Sequence, residues 1–137
     1  MKLTRLVLLG AALLLPVVAA WAGKDAPYLF EQLKKPEYSK TLHALLAHEK
    51  NLEPWVKDYL KTNNGVDSPS QSLTVQDKPY ELYQVCQPHN CGGNFIYVLF
   101  VPGGAKAWVL FTKDDGTSKF FGNPSAEIQS ALKAAAK

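Results

Sequence analysis

Residues 94–112 read NFIYVLFVPGGAKAWVLFT, two apolar segments separated by a Pro-Gly-Gly turn. Successive side chains of a β-strand point to opposite faces of a sheet. Because residues 95–101 and 108–111 are apolar at consecutive positions, both faces of this hairpin must be covered. The segments available to cover them are the helices predicted before and after the strands, so the hairpin predicts a sheet between two helical layers.

Strand signals recur on both sides of this hairpin, with short turn signals between them. Residues 66–71 (VDSPSQ) are predicted to be a loop, and Asp77-Lys78-Pro79 is predicted to be a turn. Connections this short produce hairpins, so the sequence predicts a five-stranded antiparallel meander. The predicted strands lie at residues 73–75, 80–86, 94–101, 107–112 and 117–121.

Helical signals fill the two ends of the chain. Residues 26–34 predict a short helix, a second begins near Pro36, and a third begins near Pro54 and stops at residues 63–65 (NNG). Asn123-Pro124-Ser125 then opens a C-terminal helix. The predicted fold class is α+β, a three-layer α/β/α arrangement of the meander between N-terminal helices and one C-terminal helix.

The chain begins like an exported precursor. Lys2 and Arg5 precede an apolar run of 13 residues, Leu6–Val18, and Ala20-Trp21-Ala22 places small residues where a signal peptidase cuts. The run is shorter than the ~20 residues of a membrane-spanning helix, although a retained anchor is the alternative. We therefore expect residues 1–22 to be a secretory signal and residues 23–137 to be a single domain.

The charge balance argues against two classes of partner, nucleic acids and membrane surfaces. Without residues 1–22 the chain has 13 basic and 12 acidic side chains, and it has lost Arg5, its only arginine. Arginine is the preferred side chain for clamping phosphates, so near-neutral charge without arginine argues against nucleic acid binding. The same balance gives no electrostatic reason to expect binding to a membrane surface.

The chemistry-bearing stretch is CQPHNCGGN, residues 86–94, between the second and third predicted strands. In an oxidising compartment two cysteines most simply form a disulfide. If the chain is exported, its only two cysteines pair as Cys86–Cys91. A disulfide holds its Cα atoms about 5.5 Å apart, so the four residues between the cysteines must turn back sharply.

The residue types inside the ring predict the shape of that turn. Pro88 suits the first central position of a β-turn, which leaves His89 at the second central position, at the tip. Asn90 is expected to take the unusual φ that returns the chain. Gly92-Gly93 are expected to leave room for close approach by another backbone.

The geometry and residue types of this ring argue against a metal site, a redox pair and a catalytic site. One tight loop does not place Cys86, His89 and Cys91 tetrahedrally around zinc, and a redox pair normally has two residues between its cysteines. We therefore expect no metal and no cofactor. A lone imidazole without an orienting acid or a neighbouring nucleophile argues against a catalytic site. Two interpretations stay open: a hairpin staple with an incidental histidine, and a preorganised protrusion that enters a partner's cleft.

The segment CQPHNC resembles the CKPHDC loop of the Ivy family (inhibitor of vertebrate lysozyme). The likeness extends over residues 23–137 and includes Gly122-Asn123-Pro124 before the last helix. The resemblance implies the same three-layer fold and a loop that plugs the active-site cleft of C-type lysozymes. It also implies that His89 meets the catalytic carboxylates of lysozyme, while Pro88 and the Cys86–Cys91 pair shape the loop.

This chain departs from the family loop at two expected partner-binding positions. Gln87 stands in place of Lys and Asn90 in place of Asp, so both charges are lost, although either amide retains hydrogen-bonding capacity. The resemblance further implies a periplasmic inhibitor that is not an enzyme, in a family whose members can form homodimers. The alternative is a secreted binding module that uses the same loop on another glycan-processing enzyme or on an envelope partner.

Overall fold

The computed structural model describes residues 25–137, which form four helices and five strands. The predicted secretory signal, residues 1–22, lies outside the described residues. No helix within residues 25–137 is both long and apolar enough to cross a membrane. The elements are α1 (Leu29–Gln32), α2 (Pro36–Leu46), α3 (Pro54–Thr62), β1 (Val66–Val75), β2 (Lys78–Cys86), β3 (Phe95–Phe100), β4 (Ala107–Thr112), β5 (Ser118–Phe121) and α4 (Ala126–Ala135).

The five strands form one antiparallel sheet in the order β1-β2-β3-β4-β5, which confirms the predicted meander. In this register Cys86 lies opposite Phe95 of β3, and Phe95 lies opposite Thr112 of β4. Cys86 also lies opposite Val66, the first residue of β1. The loop between β2 and β3 therefore shares one end of the sheet with the start of β1 and the β4–β5 turn.

Both faces of the central hairpin are buried, as the consecutive apolar residues predicted. One face packs against α1, α2 and α3, and the other packs against α4. Alternate residues of β3 divide between the two faces, so the structure is the expected three-layer α+β fold. Ile96, Val98 and Phe100 contact the N-terminal helices, whereas Tyr97 and Leu99 contact the side that carries Ile128 and Leu132 of α4.

The helix boundaries follow from residues that the sequence displays. Pro36 and Pro54 occupy first turns, where a missing N–H leaves no hydrogen bond unmade. Asn63 ends α3 in the left-handed conformation, with φ 57°, as the Asn-Asn-Gly signal predicted. Ser125 caps α4 by accepting a hydrogen bond from the N–H of Ile128 at 3.4 Å. The first helix is shorter than expected, because only Leu29–Gln32 is helical.

The prediction of a loop at residues 66–71 is wrong, because β1 begins at Val66. Pro69 lies within a register shift between Ser68 and Gln71, on the edge strand of the sheet. A proline is tolerated at an edge bulge because no ladder hydrogen bond is needed there. Pairing with β2 before and after the shift keeps this polar segment in the sheet.

The first hairpin turn is also displaced by one residue from its predicted position. Gln76 and Asp77 have φ values of 49° and 60°, and β2 begins at Lys78 rather than Tyr80. Two central residues with positive φ are the signature of the two-residue turn that matches the twist of a hairpin. Asp77 therefore belongs to the turn, whereas Lys78 and Pro79 belong to β2.

Candidate partner-binding loop

A disulfide closes the connection between β2 and β3. Cys86 and Cys91 are bonded, with their Cα atoms 5.1 Å apart, as the sequence predicted. Cys86 is the last residue of β2 and is buried, whereas Cys91 is exposed. One anchor of the ring is therefore part of the sheet and the other lies at the surface, which makes residues 87–90 project from the end of the sheet.

The ring contains a β-turn with Pro88 and His89 at its two central positions, as predicted. The N–H of Asn90 donates to the carbonyl of Gln87 at 3.0 Å. The expectation that Asn90 takes the positive φ is wrong: His89 has φ 61°. Proline at the first central position requires negative φ there, and the turn with negative then positive φ is type II. The left-handed residue is therefore the one at the tip.

The imidazole of His89 belongs to the second central residue of this turn. His89 is exposed, and no residue in the described range 25–137 makes a hydrogen bond to its ring. Pro88 is half-buried beside it. Both ring nitrogens are therefore available to a partner, and a neutral imidazole offers one donor and one acceptor.

Gln87 and Asn90, two of the predicted partner-binding residues, contact each other. The Nδ2 of Asn90 donates to the Oε1 of Gln87 at 3.3 Å across the turn. The N–H of Gln87 also donates to the carbonyl of Asn94 at 3.0 Å. These bonds show that the two amides brace the turn, so the loss of charge at both positions is compatible with an ordered loop.

The base of the loop is held by two polar residues that the sequence analysis did not single out. Asn94 is buried, and its Nδ2 donates to the carbonyl of Asn90 at 3.4 Å. Thr112 donates from its hydroxyl to the carbonyl of Gly93 at 2.9 Å. Asn94 is a polar residue next to an otherwise apolar strand. Because buried polar groups are almost always hydrogen-bonded, this pattern could have indicated that Asn94 holds the loop.

Gly93 makes the close backbone approach that was predicted for the Gly-Gly pair. A Cβ atom on Gly93 would lie 2.7 Å from the Cα of Asp114, and φ at this glycine is 151°. A Cβ atom on Gly92 would meet nothing within 4 Å. Of the two glycines, Gly93 therefore packs directly on the β4–β5 turn, whereas Gly92 faces open space.

Charged groups flank the loop but do not enter it. Asp114 and Asp115 lie in the adjoining β4–β5 turn and are exposed. Hydrogen bonds from the Thr117 hydroxyl and N–H lower the pKa of Asp115. Lys113 pairs with Glu53 at 3.1 Å. Within the described part of the chain, no three His, Cys, Asp or Glu side chains are arranged to hold a metal ion.

Comparison with known proteins places this loop in a family context. A family model described as "Inhibitor of vertebrate lysozyme (Ivy)" matches residues 37–137. A Pseudomonas aeruginosa protein named "Inhibitor of vertebrate lysozyme" is 33% identical over 147 aligned positions, covering 96% of this chain and 90% of that protein. An Escherichia coli K12 protein of the same name is 28% identical over 104 positions, covering 75% of this chain and 63% of that protein.

Both relatives are named as inhibitors and not as enzymes, in agreement with the expectation that this chain is not an enzyme. The family match contains all of the sheet, the helix α4 and the complete Cys86–Cys91 ring. The chain therefore belongs to the Ivy family, the inhibitors of vertebrate lysozyme.

Proposed function

We propose that this protein is an exported inhibitor of C-type lysozyme that inserts the loop of residues 86–91 into the active-site cleft, with His89 leading. Family membership supports lysozyme as the target. The observation that carries the mode of action is the exposed imidazole at the tip of a disulfide-closed turn, without a hydrogen-bond partner in residues 25–137. In the other interpretation the disulfide staples the hairpin and His89 is incidental, and replacing His89 then leaves inhibition unchanged.

The chemistry of the target suits an imidazole. Lysozyme uses two carboxyl groups, one kept protonated as the general acid and the other ionised. An imidazole donates from one ring nitrogen and accepts at the other, or donates from both when it is charged. His89 therefore satisfies either proton arrangement of the two carboxyl groups, and the loop blocks the sugar-binding cleft simply by occupying it.

The ring also lowers the entropy cost of binding. Ordering a flexible loop on association reduces affinity, and a loop that is already ordered avoids this cost. Here the disulfide, the hydrogen bond from Asn90 to Gln87 and the side-chain bond between the same residues fix the turn before any partner arrives. The proposal thus needs no conformational change in the inhibitor.

The proposal includes the compartment and the mature form. Residues 1–22 are removed on export, and residues 23–137 act in the periplasm, where a disulfide is stable. Peptidoglycan is the substrate that lysozyme would otherwise cleave there. N-terminal sequencing of the protein recovered from the periplasm tests the cleavage after Ala22.

Inhibition of purified lysozyme by His89→Ala tests the proposed mode of action. Removing the central side chain of such an interface is expected to weaken inhibition by about 2–4 kcal/mol. Thr74→Ala is the control, because Thr74 is also exposed but lies at the far end of β1 from the loop. Unchanged inhibition by His89→Ala would exclude the insertion of His89.

A panel of lysozymes separates the proposal from its alternative. The native protein is mixed with C-type, goose-type and invertebrate-type lysozymes, and clearing of peptidoglycan is followed. Inhibition restricted to the C-type enzyme supports the proposal. No effect on the C-type enzyme, with inhibition of another enzyme in the panel, supports a binding module for a different glycan-processing enzyme.

A further inference from the structure

The loop alone is too small to form the whole interface with an enzyme. Stable protein–protein interfaces bury roughly 800 Å² and about 20–30 residues on each partner. The loop of residues 86–91 supplies six residues, and the side chains of Gln87 and Asn90 are hydrogen-bonded to each other. Surface beside the loop must therefore contact the partner when the loop is inserted.

The surface beside the loop includes an exposed apolar side chain, Val66. Within residues 25–137 it is the only large hydrophobic side chain that is mainly exposed, at 50%. It lies directly opposite Cys86 across the β1–β2 ladder. Directly opposed residues share a face of the sheet, so Val66 lies beside the buried anchor of the disulfide.

Val66 forms one wall of a shallow groove at this end of the sheet. The rings of Tyr28 and Phe30 stack in the same groove, with centroids 5.6 Å apart and an angle of 19° between their planes. We call this feature, which also includes Asn63, Gly65 and Asp67, the Val66 groove.

The Val66 groove presents mainly apolar surface, and hydrogen bonds hold its one carboxylate. The Oδ1 of Asp67 accepts hydrogen bonds from the hydroxyl of Tyr59 at 2.7 Å and from the N–H of Phe30 at 3.4 Å. The charged group of the groove is thereby turned towards its own fold. The same bonds tie α1 and α3 to the start of β1, which fixes Phe30 relative to Val66.

We propose that the Val66 groove is a second contact for lysozyme and receives an apolar or aromatic side chain from the rim of the enzyme's cleft. This inference rests on the proposed function, because it assumes that the loop is inserted. Val66, which lines the groove, is the ladder partner of Cys86, the first residue of the ring. Aromatic residues are enriched at interface cores, and such an anchor supplies the desolvated area that six loop residues lack.

Substitutions at two ends of one strand test this proposal. Val66→Lys places a charge in the groove and is expected to weaken inhibition of C-type lysozyme at least tenfold, mainly through faster dissociation. Thr74→Lys is the matched control, because Thr74 is exposed at the far end of β1. Val66→Thr keeps the shape but adds a hydroxyl and is expected to weaken inhibition two- to fivefold, which provides a reading if Val66→Lys is poorly folded.

The comparison with His89→Ala keeps the two proposals separate. Weak inhibition by His89→Ala together with normal inhibition by Val66→Lys overturns the groove contact and leaves loop insertion intact. Weak inhibition by Val66→Lys together with normal inhibition by His89→Ala overturns the insertion of His89, and it also overturns the role of the groove as a second contact beside an inserted loop. If Val66→Lys changes only the sedimentation mass, from dimer to monomer, the groove binds a second copy of the chain and the proposal is wrong.

Discussion

His89 combines an exposed side chain with a backbone conformation that most residues avoid. A left-handed conformation costs an L-residue roughly 1–2 kcal/mol. Here Pro88 and the ring impose φ 61° on His89, although glycine or asparagine would occupy the position with less strain. Strained residues of this kind cluster at functional sites, which agrees with selection for the imidazole and not for turn stability.

Replacing His89 by glycine separates these two properties. His89→Gly is expected to raise the free energy of unfolding by about 0.5–1 kcal/mol, because relief of the left-handed strain of roughly 1–2 kcal/mol exceeds the roughly 0.5–1 kcal/mol of unfolded-state entropy that glycine adds. Inhibition of lysozyme is expected to be lost in the same variant, because glycine lacks the imidazole. Asn90→Gly is the comparison variant: Asn90 has no positive φ, so glycine there relieves no strain, removes the side-chain bond to Gln87, adds unfolded-state entropy and lowers stability. Chemical denaturation measures the free energies of unfolding of both variants. A loss of stability in His89→Gly would contradict the claim that His89 is strained.

The turn around His89 was predicted from the sequence only in part. The sequence predicted the positions of Pro88 and His89 in the turn but assigned the positive φ to Asn90. That assignment followed the intrinsic preference of asparagine. The observed φ follows from the geometry of a type II turn, in which the third residue is left-handed whatever its identity.

At the scale of elements, the disulfide shapes a loop more than it stabilises the domain. A disulfide that closes a ring of six residues raises the free energy of the unfolded chain by only about 2 kcal/mol. The double variant Cys86→Ala/Cys91→Ala is therefore expected to remain folded, with a free energy of unfolding lower by about that amount. Its inhibition should fall, since the loop must be ordered on binding. Denaturation curves and lysozyme assays on one preparation test this, and undiminished inhibition would count against preorganisation.

Gly93 links the loop element to the neighbouring β4–β5 turn. Gly93→Ala is expected to lower the free energy of unfolding by about 1–3 kcal/mol, because its Cβ atom would lie 2.7 Å from the backbone of Asp114 and its φ is 151°. Gly92→Ala introduces the same methyl group into open space and serves as the control. Equal stabilities of the two variants, measured in urea, would show that the contact with Asp114 is not a constraint.

The strands differ in how far the sequence could predict them. The hairpin of β3 and β4 was predicted within one residue, because consecutive apolar residues require burial on both faces. The first seven residues of β1 were missed, since Ser, Asp and Pro locally indicate a loop. Tertiary contacts override that signal: Asp67 is held by Tyr59 of α3, which no local pattern reveals.

At the scale of the whole molecule, polar residues connect the helical layer to the sheet. Asp67 joins α1, α3 and β1 through its hydrogen bonds with Phe30 and Tyr59. Burial raises the pKa of the Asp67 carboxyl above its ordinary value, although the bonds from Tyr59 and Phe30 oppose this. Burial and the adjacent Asp67 likewise raise the pKa of the Tyr59 hydroxyl.

The raised pKa of Asp67 makes the stability of the fold depend on pH. The folded state binds this proton more tightly than the unfolded chain does, so the contribution of Asp67 is fully present below the ordinary pKa of 3.8 and is lost as pH rises through the folded value. Asparagine does not titrate, so Asp67→Asn does not lose stability at this position as the pH rises.

Unfolding free energies measured across this pH range check the prediction. The value for Asp67→Asn minus that for the native protein is expected to increase as pH rises above 3.8 and then become constant. Groups such as Asp115, whose pKa is lowered, act equally in both proteins and cancel in the difference. A difference that is flat, or that declines with pH, would contradict the raised pKa.

The placement of both cysteines in one hairpin also determines how the protein matures. The chain contains two cysteines, so one intramolecular pairing exists, and it joins residues only five apart. Mispaired intermediates within a single polypeptide cannot form. An oxidant alone is therefore sufficient to form the disulfide, before or after the sheet assembles, and a reshuffling isomerase has no step to catalyse.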